Sequence, residues 1–335
     1  MIPTTSFGPA DPGLAEHLAA RQELVEQRLR EALDVPDVFI GATSQHLALA
    51  GGKRLRPLLT LLTAELGDAD QPQVLDAAMV VELTHLASLY HDDVMDDAAL
   101  RRGAPTAHAV WGNTVAILTG DLLFARASKA AAALGQEVLV LQADTFVRLC
   151  TGQLHETVGP QAGDDPIQHY LDVLSDKTAS LIATAARFGA MLAGCTPDVV
   201  ATVGTFGERI GVAFQLADDV LDLVSDGTVS GKTPGTDLRE GVPTMPVLLL
   251  RARAAQPGAS QADLDLVAML DGDLSDDASL AAAVAALRAH DVVRETRALA
   301  AAEGRAAVAE LDALPEGPVR SALVDFADAL VDRTS

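Results

Sequence analysis

Apolar positions recur along most of the chain at three- and four-residue intervals, the spacing of one face of a helix. Leu14 to Leu33 predicts an amphipathic helix, and a second over Val38–Leu49 stops at Gly51-Gly52. Pro57 stands where a first helical turn tolerates it, opening a helix over Leu58–Leu66. Val74 to Asp97 reads as one long helix, apolar through Ala77, Ala78, Val81 and Leu86 and ending in a run of aspartates. Further helices are predicted at 113–134, 136–156, 166–194, 197–225, 243–254, 277–289 and 291–312, with a last one after the Gly and Pro breaks near 315–318. Gly and Pro also cluster at 102–106, 159–166, 195–197 and 227–243. The last of these is the longest irregular stretch, and long ordered loops are more often functional than decorative.

Composition sharpens this into a fold class. The chain is 49% hydrophobic but only 3% aromatic, so its core must be built from Ala, Leu and Val. Alanine and leucine are the strongest helix formers, and strands bounded by turn pairs are hard to find. The expectation is an all-α bundle forming one domain over residues 13–335, behind a loose Pro- and Gly-rich leader at 1–12. Nothing in the 335 residues marks a joint or a solenoid repeat.

Charge and cysteine content exclude several roles. A net charge of −23, from 47 acidic and 24 basic residues, argues against nucleic acid, which is bound through a basic surface. It leaves room for a small phosphorylated substrate held by a few cations and a metal. Cys150 and Cys195 fit neither zinc spacing nor a disulfide framework, so a reducing, cytoplasmic setting is expected. The N-terminus lacks the basic start and apolar run of a signal peptide. Ala179–Thr196 is the most membrane-like stretch, but Arg187 inside it favours a buried bundle helix, so no integral membrane segment is expected.

One short motif occurs twice. Asp92-Asp93-Val94-Met95-Asp96 and Asp218-Asp219-Val220-Leu221-Asp222 lie 126 residues apart, each after an apolar run. On a helix the first and last carboxylates of each project from one face, one turn apart. Like charges at that spacing repel, so cations between them are the natural compensation. Mg²⁺ fits, because it takes oxygen ligands, one or two of them carboxylates, and fills its shell with water and substrate phosphate. A single copy could be a solvated acidic helix end, whereas two copies favour a metal–diphosphate site. Five cations are grouped to match: Lys53, Arg54 and Arg56 in GGKRLRP, and Arg101-Arg102 just after the first aspartates. Arg offers a planar fork to phosphate oxygens and Lys a compact charge.

These residues resemble the trans-isoprenyl diphosphate synthases. GGKRLRP (51–57), HDDVMD (91–96), RRG (101–103), GNTVAILTGD (112–121), TGQ (151–153), DKTASL (176–181), FQLADDVLD (214–222) and the 231–246 stretch follow that family's order, over roughly residues 40–250. The pattern is most similar to bacterial long-chain polyprenyl diphosphate synthases, of the kind that make quinone side chains. The resemblance implies an all-α homodimer with a deep central cavity, fed by isopentenyl diphosphate and an allylic diphosphate. It implies Mg²⁺, as many as three ions with diphosphate bound, on Asp92, Asp96 and Asp218 with Asp93, Asp219 and Asp222 in support. Lys53, Arg56, His85 and Arg102 match the isopentenyl diphosphate positions; without the resemblance His85 reads first as a satisfied core histidine. Arg101, Lys177 and Lys232 match those gripping the allylic diphosphate, with Thr178 and Gln215 lining the reacting carbons. Relatives often carry a lysine where this chain has Val242, which removes one diphosphate contact.

The product tail is expected to run beside the first aspartate helix, where the residues one turn deeper are Ala87 and Ser88. Both are small, which implies a product longer than four isoprene units, roughly six to ten, in a mostly apolar cavity. The alternative is that small residues merely suit close helix packing. Phe146 is a candidate floor. Two rival readings remain: a class I terpene cyclase, which is typically richer in aromatics, and a non-catalytic subunit of a heteromeric synthase, which is expected to have lost aspartates or basic groups.

Overall fold

The computed structural model describes residues 9–224 and 234–331. Helices α1 (Pro12–Leu33), α2 (Val38–Leu49), α3 (Leu55–Ala64) and α4 (Pro72–Met95) precede a hairpin of β1 (Leu100–Arg101) and β2 (Ala104–Pro105). Then come α5 (Ala107–Trp111), α6 (Asn113–Leu134), α7 (Gln136–Val158), α8 (Pro166–Leu174), a π-helical turn (Ser175–Ala179), α9 (Ser180–Leu192) and α10 (Pro197–Val224). The remainder is α11 (Thr236–Glu240), α12 (Met245–Ala254), α13 (Gln261–Leu270), α14 (Asp277–Arg288), α15 (Asp291–Glu310) and α16 (Pro318–Val331). The class is all-α, as the composition requires.

Two compact units make up the chain. The first comprises Met1–Leu149, Ser180–Gly207 and Glu310–Phe326. Its central helix is α4, which packs against α1, α3, α6 and α9. Consecutive positions of α4 are buried (Val80, Val81, Glu82, Leu83 and Thr84 among them), so the helix is enclosed rather than one-faced. Each buried Val or Leu contributes roughly 1.5–3 kcal/mol. Tyr90 of α4 is fully buried; its hydroxyl donates to Thr43 O and accepts from Leu47 N at 3.3 Å, tying α4 to α2. Helices α3 and α9 meet through small groups: Thr63 Oγ1 donates to Ala186 O at 2.9 Å, and Gly189 lies against the backbone of Thr60.

The second unit comprises Cys150–Ala179, Glu208–Ala309 and Ala327–Ser335. Val220 and Leu223 of α10 pack with Leu250, Leu266, Leu287 and Val292 in one apolar cluster. A second cluster joins Leu174, Leu216, Ala217, Met245 and Ala300. Gly211 lets α10 approach the π-turn closely, since a Cβ there would stand 2.5 Å from Ala179 Cα.

Several elements differ from the periodicity reading. The helix expected over 166–194 is interrupted by the π-turn, whose extra residue per turn falls on the Asp176-Lys177-Thr178 stretch. Helix α13 was not anticipated, although its signal was present. Ser260 and Asp263 form a capping box, with Asp263 N donating to Ser260 Oγ at 3.1 Å and Ser260 N to Asp263 Oδ2 at 3.3 Å. Helix α3 starts at Leu55, which leaves Pro57 in its first turn. No helix among the described residues is long and apolar enough to cross a membrane.

The α3–α9 contact supplies a stability test. Gly189→Ala should force a methyl group into Thr60 O and cost about 1–3 kcal/mol. Urea denaturation would show this as a lowered midpoint at unchanged slope.

Candidate active site

In the first unit, α4 delivers the motif Asp92–Asp96 at its C-terminal end. Asp92 is half-buried and Asp96 exposed, while Asp93, turned about 100° further round the helix, is fully buried. Arg101 Nε donates to Asp93 Oδ1 at 2.6 Å, and Asp93 Oδ2 is sealed from solvent without a hydrogen-bond partner. Burial raises the Asp93 pKa, against the pull of Arg101.

The hairpin after α4 aims two cations in different directions. Leu100 pairs with Pro105 and Arg101 with Ala104. Arg102 (φ 54°) and Gly103 (φ 78°) form its two-residue turn, both at positive φ as a tight hairpin demands. A positive φ is strained for arginine and is held here by the side chain's own contacts. Arg102 donates to Gly51 O and, at 3.4 Å, to Leu47 O. Its guanidinium lies where a side chain on Gly52 would stand, 2.6 Å from that Cβ position, which explains a glycine there.

Arg102 therefore joins Arg56 and His85 beside the α2–α3 loop. Arg56 Nε is buried without a hydrogen-bond partner. Burial and then Arg102 lower the Arg56 pKa, opposed by Glu82 and Asp92. Burial, then Arg56, Arg102, Arg54 and Arg101, push the His85 pKa well below the usual imidazole value. Lys53 is exposed on the same loop. Of the residues expected at the isopentenyl diphosphate site, the fold thus brings Arg56, His85 and Arg102 into one electrostatic cluster, with Lys53 next to Gly52.

In the second unit, α10 carries Asp218, Asp219 and Asp222. Asp218 and Asp222 are half-buried and Asp219 is buried. Tyr170 of α8 donates its hydroxyl to Asp219, 2.9 Å from each carboxylate oxygen, and Met245 N at the start of α12 donates to Oδ2 at 3.1 Å. Burial pushes the Asp219 pKa up to about 8, while these two donors work to lower it. Lys177 and Thr178 sit in the π-turn, where Lys177 Nζ is paired with Glu156 and Thr178 is buried. Gly152 of the Thr-Gly-Gln stretch permits this approach, since a Cβ there would be 2.6 Å from Lys177 N. Gln215 is half-buried on α10, and Lys232 lies outside the described residues.

The expected chain-length residues separate. Ser88 is half-buried, its hydroxyl donating to His85 O at 2.9 Å. Ala87 is fully buried against α6, its carbonyl 3.2 Å from where a Cβ on Gly120 would lie. Phe146 is half-buried and stacks on Phe124 at 4.2 Å between centroids; Phe124 in turn meets His91 at 5.6 Å.

Periodicity passed over Tyr170, Glu156 and Glu82. Glu82 had a signal, a lone carboxylate inside the apolar run of α4. Tyr170 lies seven residues before Lys177, and nothing in the sequence links it to Asp219.

Among the described residues no group of three or more His, Cys, Asp or Glu side chains is gathered as a ready-made metal cage. The half-buried and exposed carboxylates of Asp92 and Asp96 on α4, and of Asp218 and Asp222 on α10, are hard oxygen donors. That donor set fits a divalent cation that takes one or two carboxylates and completes its shell with water and phosphate. Acidic helix ends and a cluster of half-buried guanidinium groups are thus the charged features of this all-helical protein.

Comparison with known proteins agrees. The model of the polyprenyl synthetase family matches residues 38–287. Nonaprenyl diphosphate synthase of Mycobacterium tuberculosis is 44% identical over 317 residues, covering 94% of this chain and 92% of that protein. A geranylgeranyl pyrophosphate synthase of Corynebacterium glutamicum, solved with calcium and isoprenyl diphosphate, superposes with a TM-score of 0.85 at 39% identity, covering 97% of this chain and 99% of that one. A decaprenyl diphosphate synthase of Rhodobacter capsulatus does so at 0.85 and 33% identity, covering 96% and 98%. The chain belongs to the polyprenyl synthetase family, whose members depend on divalent metals.

The Tyr170–Asp219 contact can be tested directly. Tyr170→Phe removes the hydroxyl donor from a buried carboxylate and should lower the unfolding free energy by about 1.5–3 kcal/mol. Chemical denaturation measures this, and an unchanged midpoint would show that the contact does not contribute.

Proposed function

We propose that the chain is a trans-prenyltransferase that condenses isopentenyl diphosphate onto an allylic diphosphate, head to tail, to build a long-chain all-trans polyprenyl diphosphate. The observation that carries this is the half-buried cluster of Arg56, Arg102 and His85, in which one guanidinium nitrogen, Arg56 Nε, is buried without a partner. Buried charge is costly unless paired, and a diphosphate is the anion that pairs with two guanidinium groups at once. Arg56, His85, Arg102 and Lys53 hold isopentenyl diphosphate in this reading. Arg101, Lys177 and Lys232 hold the allylic diphosphate, with Thr178 and Gln215 beside the reacting carbons. Glu156 pairs with Lys177 Nζ and holds it in place until that anion arrives.

Asp92, Asp96 and Asp218 are the carboxylates that would hold Mg²⁺, as many as three ions with diphosphate bound, with Asp222 in support. Asp93 and Asp219 support them from inside the fold. When bound, the metal neutralises charge that develops on the departing diphosphate. The arginines and lysines share that load as fixed, preorganised charges. The isopentenyl double bond attacks the allylic carbon as its bond to diphosphate breaks, and the departing diphosphate takes the proton lost from the isopentenyl unit, since among the described residues no His–Glu pair is set for that task.

Half-buried Ser88, one turn before Asp92, leaves room for a growing tail, with Phe146 as a candidate floor. The same proposal takes residues 13–335 as one synthase domain, acting as a homodimer in the cytoplasm and delivering its product to a membrane for quinone side chains. The family match across 38–287 and the high coverage of relatives support it. They speak against a terpene cyclase or a non-catalytic subunit.

The purified chain with radiolabelled isopentenyl diphosphate, an allylic starter and Mg²⁺ should form long polyprenyl diphosphates. A hydrocarbon formed from the allylic diphosphate alone would overturn the reading in favour of cyclisation. Ser88→Phe should shorten the product seen by chromatography. Ala87→Phe, at a packed position, should instead cost stability, about 1–3 kcal/mol.

A further inference from the structure

The cation that sequence pattern groups most naturally with the phosphate binders is turned away from that task. Arg54 lies between Lys53 and Arg56, yet its side chain is only 11% exposed and all three of its nitrogens are taken up by the protein. Nε pairs with Glu26 Oε1 and Nη2 with Glu26 Oε2 at 3.5 Å. Nη1 donates to Glu82 Oε1 at 2.8 Å and to Gly51 O at 3.4 Å, and Nη2 donates to Ala48 O at 2.9 Å. Burial works to lower its pKa, but Glu82 and Glu26 hold it above the ordinary arginine value. A guanidinium so occupied has no donor edge left for a substrate.

These contacts span four elements. Glu26 is on α1, Glu82 on α4, Ala48 in the last turn of α2, and Gly51 in the loop itself. Arg54 is the N-cap residue of α3, in the left-handed region at φ 49°, so its backbone is strained where its side chain is most constrained. Arg102 donates to the same Gly51 carbonyl from the hairpin side. The path of the loop is thereby set from both faces before any anion arrives.

We propose that Arg54, clamped between Glu26 and Glu82, is a positioning residue: an internal brace that presets the Gly51–Arg56 loop so that Lys53, Arg56 and Arg102 meet the isopentenyl diphosphate. This rests on the function proposed above and adds a specificity to it, because the brace acts on one of the two diphosphates. Glu82 has a double role, holding Arg54 directly while its charge also acts on Arg56 and Arg102. Removing the brace leaves the phosphate-facing cations present but misplaced.

Glu26→Gln tests the idea from the outer, 30% exposed end of the brace, away from any expected substrate contact. The brace predicts that KM for isopentenyl diphosphate rises about tenfold, equivalent to about 1.4 kcal/mol, while kcat and KM for the allylic substrate stay within about twofold. It also predicts that Glu26→Gln/Arg54→Gln costs no more than Arg54→Gln alone, as expected for two residues acting through one contact. If Arg54 instead gripped phosphate, Glu26→Gln would free it, and KM would stay constant or fall; that outcome overturns the proposal. Equal rises in both KM values would also overturn it, showing general loosening. Should Arg54→Gln fail to fold, the Glu26→Gln split in KM decides alone. Absence of isopentenyl diphosphate turnover by the unsubstituted chain would instead sink the proposed function, a separate result.

Discussion

One buried carboxylate, Glu82, governs the cationic half of the site. It is 2% exposed, on the helix that carries Asp92, and its charge acts on Arg54, Arg56 and Arg102. Three guanidinium groups cannot be gathered in a protein interior without compensation, because each loses hydration and repels the others. One carboxylate offsets part of this, and Glu26 offsets Arg54 separately. Arg56 Nε is left without a hydrogen-bond partner in the protein.

The two aspartate motifs solve a related problem in parallel ways. In each, the second carboxylate is buried while its neighbours keep some exposure. Asp93 takes Arg101 from the following hairpin, and Asp219 takes the Met245 amide from the start of α12 together with the Tyr170 hydroxyl. The helical rotation of about 100° per residue makes this division natural: adjacent carboxylates cannot share a face, whereas those four apart do. The inner carboxylate fastens the segment that follows, and the outer pair keeps more exposure. Glycine serves the same end elsewhere, as at Gly52 under the Arg102 guanidinium and Gly152 under Lys177.

Much of the fold was legible along the chain. Helices α1, α2, α4, α6 and α7 came from apolar spacing because each is long and bounded by Pro, Gly or Asp signals that act locally. The π-turn at Ser175–Ala179 was not legible, since one extra residue in a helical turn leaves a continuous apolar pattern almost unchanged. The hairpin at 100–105 was read only as a break, because its pairing depends on Arg102 accepting a positive φ.

The sequence by itself determined the chemistry of the site: which carboxylates occur in pairs, which cations cluster, and that helices carry them. Those are properties of residue type and of spacing within a few turns. Tertiary structure decided which of those groups are available. It turned Arg54 inward between Glu26 and Glu82, buried Ala87 while leaving Ser88 partly open, and joined Tyr170 to Asp219. The physical reason is that availability depends on neighbours distant in sequence. Spacing states what a residue can do, and packing decides whether any of its hydrogen bonds remain for a substrate.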